Sequence, residues 1–213
     1  VDESPVDEVE RFEINADSVT VVRQRYPAAG RPNAKVGLFV QDIANGAVRP
    51  VTARDEYLAR VAWFPDGGAL AVQTQSRDQK ALVLWRVDAA TGRASALITE
   101  RSDSWVPLHD ELTFLPRTRQ FIWASVRSGF KHLYLYDEDG RARGALTGGE
   151  WMVVGDDDRR AIRGVDEARG LVYFMANRDT PIERHLYVAS LRPTAGGEAP
   201  TAPRRLTTAA GWH

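Results

Sequence analysis

Four times along this chain a set of short apolar strands closes on a threonine. The closing residues are Thr52, Thr99, Thr147 and Thr207, at intervals of 47, 48 and 60 residues. An aromatic follows each of them, at Tyr57, Trp105, Trp151 and Trp212, with intervals of 48, 46 and 61. Self-similarity at such a period means that one small unit is repeated and stacked. It limits the fold more than any local propensity does.

Inside a unit the order is constant. A first apolar strand (Leu58–Phe64, Glu111–Leu115, Ala161–Val165) runs into a turn: Pro65-Asp66-Gly67-Gly68, Pro116-Arg117-Thr118-Arg119 or Asp166-Glu167-Ala168-Arg169-Gly170. Gly and Asp supply the backbone angles such turns need. A second strand follows (Ala69–Gln73, Phe121–Ser125, Leu171–Ala176), then a polar loop, then a third strand of alternating pattern (Val36–Val40, Leu82–Val87, Leu133–Tyr136, Leu186–Ala189). A turn at Asn45-Gly46, Thr91-Gly92, Asp139-Gly140 or Gly196-Gly197 leads to a fourth strand that ends on the threonine. The last unit carries a Pro/Gly-rich insertion, Pro193 to Pro203. No long segment has a 3.6-residue apolar rhythm, so little helix is expected.

Four short strands per unit at this period describe the blade of a β-propeller. The chain reads as all-β, about four four-stranded blades of a propeller. A sheet apolar on both faces cannot bury itself and must stack on neighbours. The units divide the chain into 1–56, an incomplete first blade; blades at 57–104, 105–150 and 151–211; and residues 212–213 at the opening of a next one. Four blades seldom close a ring, so a longer parent chain is expected.

Before the first clear third strand, Arg11–Ile14 and Val19–Val22 read as strands. Tyr26-Pro27-Ala28-Ala29-Gly30-Arg31-Pro32-Asn33 is rigid, turn-rich and too long for a hairpin turn, and residues 23–35 read as an arm projecting from the first blade.

Composition removes several classes of function. With 28 basic and 29 acidic residues in mixed order, no positive field exists to attract nucleic acid or an anionic membrane. No apolar run is long enough to span a membrane. Cysteine is absent, which excludes disulfides, thiolate nucleophiles and Cys-bound metals. His132 and His185 occupy equivalent places two residues before a strand tyrosine, so repetition accounts for them better than metal binding. Asp156-Asp157-Asp158 lacks the Gly and the distant Glu of a calcium loop and reads as a solvated turn. No metal and no cofactor is expected.

Several segments, in order along the chain, resemble those of the dipeptidyl peptidase IV family of serine peptidases. They are Asp2-Glu3-Ser4-Pro5-Val6 with Arg11-Phe12-Glu13, Tyr26-Pro27-Ala28-Ala29-Gly30 with Pro32-Asn33, Ser128-Gly129-Phe130-Lys131-His132-Leu133-Tyr134, Gly149-Glu150-Trp151-Met152-Val153 and Ile182-Glu183-Arg184-His185-Leu186-Tyr187. The resemblance implies an eight-bladed propeller joined to a C-terminal α/β-hydrolase domain of the same protein, and release of N-terminal Xaa-Pro or Xaa-Ala dipeptides from peptide substrates. It implies a homodimer formed in part through the arm, here Tyr26, Pro27, Gly30, Pro32 and Asn33. It favours a periplasmic or secreted location and leaves the cytoplasm open.

The cutting chemistry itself is absent. Such a hydrolase needs a Ser on a strained Gly-x-Ser-x-Gly turn, then an acid and a His, and no Gly-x-Ser-x-Gly occurs in this chain. The paired glutamates with which the family binds a free amino terminus have no counterpart either. The chain alone is expected to be inactive.

In a propeller, the link from a fourth strand to the next first strand lies at the same end as the loop between strands two and three. The family's glutamates sit in such a four-to-one link, so the resemblance implies that the segments around Tyr57, Trp105, Trp151 and Trp212 face the peptidase, with Arg77-Asp78, Arg127-Ser128 and Arg178-Asp179. Trp105-Val106 matches a family Trp-Val whose following residues help to line a substrate pocket. Trp105, Pro107, Leu108 and His109 are therefore the candidate substrate contacts, although Pro107-Leu108-His109 departs from the Phe-Arg pair of some members. The competing structural reading is an inter-blade link whose Trp packs on a neighbour. Two other functions stay in view: a non-catalytic propeller scaffold for protein or peptide partners, and a propeller of another peptidase in the same clan.

Overall fold

A computed structural model describes residues 1–155, 160–193 and 200–213. The Asp156–Asp158 turn, Arg159 and the Gly196-Gly197 turn lie outside the described residues. Sixteen strands and no helix occur among the described residues.

The strands are β1 (Glu8–Ile14), β2 (Val19–Arg25), β3 (Phe39–Gln41), β4 (Val48–Pro50), β5 (Tyr57–Trp63), β6 (Ala69–Gln75), β7 (Ala81–Asp88) and β8 (Ala94–Arg101). They continue as β9 (Thr113–Leu115), β10 (Gln120–Ser125), β11 (His132–Asp137), β12 (Ala142–Ala145), β13 (Ile162–Asp166), β14 (Leu171–Ala176), β15 (His185–Ser190) and β16 (Arg204–Arg205). Three four-stranded antiparallel sheets follow one another, β5–β8, β9–β12 and β13–β16, each laid down in chain order. Before them come a two-stranded sheet, β3–β4, and the separate hairpin β1–β2. The protein is an all-β stack of propeller blades.

The sheets pack face on face, and the period of two decides which residue meets which neighbour. On β6, Leu70 and Val72 join Val51 and Ala53 of the first unit, while Ala69 and Ala71 join Phe121 and Trp123 of β10. On β10 the alternate residues Ile122 and Ala124 meet Val172, Phe174 and Ala176 of β14. All seven residues of β6 are buried, although Gln73, Thr74 and Gln75 are polar. Central strands buried on both faces read as continuous apolar runs rather than as alternation.

Apolar burial dominates these seams. Trp123, Phe121, Ile122 and Phe174 are fully buried, each worth about 1.5–3 kcal/mol. The ion pairs Arg11–Glu13, Arg23–Glu10 and Arg31–Asp7 involve side chains 43–70% exposed, and such pairs contribute about 0–1 kcal/mol.

Counting β3–β4 as the first sheet, the closing threonines have a mechanical role in the third, β9–β12, and the fourth, β13–β16. The Leu133 amide donates to Thr147 Oγ1 at 2.9 Å, and His132 Nε2 donates to the Gly149 carbonyl at 2.9 Å. A carbonyl only accepts, so His132 carries its proton on Nε2, and Nδ1 accepts from the Thr147 hydroxyl at 3.0 Å. The fourth sheet repeats the device: the Leu186 amide donates to Thr207 Oγ1, His185 Nδ1 accepts from Thr207, and Nε2 donates to Glu183 at 2.8 Å. The His–Thr pair pins the fourth segment to the third strand. Thr52 instead joins two sheets, accepting the Ala94 amide at 2.8 Å.

The first 35 residues differ in detail from the reading of the sequence. The element that stands clear of the sheets is the hairpin β1–β2, none of whose residues is buried. Tyr26–Asn33 is its return leg. Tyr26 N donates to Asp7 O at 3.0 Å, Arg31 N to Ala28 O at 3.0 Å, and Asp2 and Lys35 exchange two amide bonds of 2.8 Å that close the base. Two strands of matching length zip to one another, and a proline-containing leg lacks the donors to do so.

Candidate functional site

Hydrogen bonds fix which segments share an end of the stack. Val106 N donates to Gln79 O at 2.7 Å, joining the β8–β9 link to the β6–β7 loop. Val153 N donates to Lys131 O at 2.8 Å, and His213 N to Arg184 O at 3.2 Å, repeating the pattern at the next two units. The inter-sheet links and the loops between second and third strands therefore gather at one end. The opposite end carries the remaining turns, joined by Ala89 N to Gly68 O and by Leu191 N to Gly170 O.

The tryptophans at this end do not behave alike. Trp151 is 8% exposed, lies edge-on to His132 and stacks on Phe174. Trp105 is 59% exposed, even though complete sheets stand on both sides of it. Val106, at 4% exposed, occupies the seam instead, among Phe121, Trp123 and Tyr136. Trp212 is exposed as well, with Arg184 over its ring at 3.9 Å.

Of the other candidate residues, Leu108 is 41% exposed, Pro107 is half-buried, and His109 turns inward. Its ring lies edge-on to Trp123 with centroids 4.3 Å apart. Glu111 N donates to His109 Nδ1 at 3.3 Å, and Nε2 is buried with no hydrogen-bond partner. Burial holds the imidazole neutral, its pKa pushed down to about 4 against the opposing pull of Glu100, Glu111 and Asp110. Trp105 and Leu108 thus face outward, and His109 supports the link from beneath.

Beside the link, Thr99, Glu100, Arg101, Ser102, Val106, Val126 and Arg127 surround a pocket of about 400 Å³. Sequence reasoning singled out Arg127 only as a loop residue. It donates to Glu100 at 2.7 Å, to Tyr136 Oη at 2.6 Å and to Ser125 Oγ at 2.9 Å, and it lies 4.4 Å over the Tyr134 ring. Trp123 Nε1 donates to the same Glu100 oxygen at 3.0 Å. These bonds span the seam, and burial pushes the Tyr136 phenol above its ordinary pKa. The partners are far apart in the chain, so no local signal announces them.

In the arm, Tyr26, Pro27, Gly30 and Pro32 are exposed, and Asn33 caps the Ala34 amide at 3.0 Å. Arg77 donates to the Ala28 carbonyl at 3.0 Å, tying this leg to the β6–β7 loop. On one face near the hairpin tip, Phe12 lies opposite Val21 and Ile14 opposite Val19, all 49–83% exposed. Among the described residues, no group of three or more His, Asp or Glu converges as metal ligands do, and no helix is long and apolar enough to cross a membrane.

Comparison with known proteins places these features in a family. "Probable dipeptidyl-aminopeptidase B" of Emericella nidulans is 33% identical over 181 residues, covering 76% of this chain and 19% of that protein. Dipeptidyl peptidase 8 of Homo sapiens is 29% identical over 229 residues, covering 78% of this chain and 25% of that protein. The crystal structure of Porphyromonas gingivalis dipeptidyl peptidase 4 superposes with a TM-score of 0.78 at 26% identity, over 98% of this chain and 28% of that one. The chain spans between a fifth and a quarter of the length of these two curated relatives. The model of the dipeptidyl peptidase IV (DPP IV) N-terminal region matches residues 1–213, and the chain belongs to that family.

Proposed function

We propose that this chain is the substrate-gating and dimerisation propeller region of a dipeptidyl peptidase IV-like serine exopeptidase that releases Xaa-Pro and Xaa-Ala dipeptides. The catalytic Ser, acid and His belong to an α/β-hydrolase domain of the same protein, since this sequence holds no Gly-x-Ser-x-Gly. The link end faces that domain, and Trp105, Pro107, Leu108 and His109 border the path of the peptide. The hairpin β1–β2 with its return leg, Tyr26 to Asn33, meets the same arm of a second copy.

The observation that carries this reading is the exposure of Trp105 between two complete sheets. A purely structural link would bury its Trp as Trp151 is buried. Exposed aromatic surface beside polar loops suits a proline-containing peptide.

The test is hydrolysis of Gly-Pro and Ala-Pro amides by the full-length parent, with free and acetylated amino termini. Turnover of the free forms alone is expected, together with none by the 213-residue chain. A parent inert to every such amide would leave the scaffold reading, and turnover by this chain alone would overturn the assignment of the chemistry.

A further inference from the structure

The different fates of Trp105 and Trp151 follow from one residue of register. In the third-to-fourth sheet link, the residue whose amide is held by the preceding loop is Val153, two after Trp151. Trp151 lies in a bend and enters the seam together with Val153. In the second-to-third sheet link the held residue is Val106, one after Trp105. Neighbours in extended chain point to opposite sides, and anchoring Val106 inward sends Trp105 outward.

The anchor is built from two glutamines at the loop end of β6. Gln79 accepts the Val106 amide through its carbonyl at 2.7 Å. It does so with φ of 58°, one of two non-glycine residues with positive φ among the described residues. That conformation is costly for a side-chain-bearing residue and persists only where surroundings impose it. Here Ser76 and Asp78 impose it: Gln79 N donates to Ser76 O at 2.9 Å, and Lys80 N to Asp78 Oδ1 at 3.1 Å. Gln75, 2% exposed, donates its side-chain amide to the Val106 carbonyl at 2.7 Å. Both backbone polar groups of Val106 are thereby fixed to the second sheet, and the link cannot slide by one residue without losing both.

We propose that Gln75, with Gln79, is a positioning residue for substrate selection: the pair sets the register that presents Trp105 and Leu108 as an apolar platform for the Xaa side chain of the peptide. The proposal rests on the reading of Trp105 to His109 as a substrate border. Gln75 touches no substrate and acts only through Val106.

The experiment uses the full-length protein and Xaa-Pro amides with Xaa either glycine or a large apolar residue. Trp105→Ala tests the border itself, and about a tenfold higher KM for the large Xaa is expected, with a smaller rise for the glycine substrate. Gln75→Met keeps the length of the side chain and removes the donor. It is expected to reproduce that KM change with kcat within about twofold of the parent. Should Gln75→Met fail to fold, Gln75→Asn keeps an amide too short to reach Val106 and predicts the same KM pattern. An unchanged KM in the glutamine variants beside a raised KM in Trp105→Ala overturns the positioning role alone. An unchanged KM in Trp105→Ala overturns the border reading, and the proposal with it.

Discussion

Glu111, in the link that enters the third sheet, holds the main chain of Ala161 in the fourth: its carboxylate accepts the Ala161 amide at 2.7 Å and the Ile162 amide at 3.1 Å. The side chain is 3% exposed, and the Lys131 ammonium stands 4.0 Å away. One buried and one partly buried amide depend on this one group. Glu111→Ala is expected to lower unfolding free energy by roughly 2–4 kcal/mol, because both donors lose their acceptor away from water. Glu111→Gln, which keeps one acceptor, should cost less. Chemical denaturation of the two variants checks the order; equal, small losses would mean that water replaces the carboxylate.

The opposite end of the stack is held by close backbone approach. Gly92 and Gly140 have φ of +72° and +87°. A Cβ on Gly92 would overlap the Pro50 carbonyl oxygen, and one on Gly140 would lie 2.6 Å from Leu97 O, each in the preceding sheet. Gly92→Ala and Gly140→Ala are each expected to cost roughly 2–4 kcal/mol, from left-handed strain plus overpacking. Gly46→Ala, with φ of +75° but open space around it, serves as the control and should lose only the strain. Thermal melts that rank the three variants otherwise would contradict the seam geometry.

Acid should weaken the protein through His109. Its folded-state pKa is about 4, below the ordinary value of 6.5, so the unfolded chain binds the proton more readily between those limits. Stability from this group is complete above about pH 6.5, falls as pH drops towards 4, and is lost no further below that. The loss amounts to at most about 3 kcal/mol. His109→Leu should flatten this part of the stability curve relative to the parent. His132 is also held below its ordinary pKa by burial, so the comparison is between curves of the two proteins.

The dimerisation proposed for the arm predicts a separation of effects. Phe12→Glu with Ile14→Glu places charges on the exposed apolar face of the hairpin. Self-association of the full-length protein should weaken by roughly tenfold or more. The melting temperature of the sheets should not move, because no residue of the hairpin is buried against a blade. Light scattering that reports an unchanged mass would remove the hairpin from the interface.

How far the sequence could be read depended on whether a feature was local. Phe121–Ser125 and Leu171–Ala176 are short apolar runs bounded by turn residues, and they form strands within a residue of the expected limits. The third strand expected at Val36–Val40 forms instead at Phe39–Gln41. Arg11–Ile14 and Val19–Val22 were legible as strands. That they pair only with each other, leaving Tyr26–Asn33 as a return leg, depends on partners outside any local window. At the candidate site, the repeated Trp falls in the links between sheets. Nothing in its identity distinguished an outward Trp105 from an inward Trp151, since the difference lies in which neighbour's amide the preceding loop captures. Arg127 and Glu100 meet across a seam from residues 27 apart, a pairing that no spacing rule reports.

The isolation of β1–β2 has a consequence for how such proteins diversify. The central strands β6 and β10 each serve two seams at once, so a change there must be accommodated on both sides. The hairpin answers to neither seam. Its length and its tip can be rewritten by mutation without repacking a single blade, while the stacked sheets behind it stay fixed.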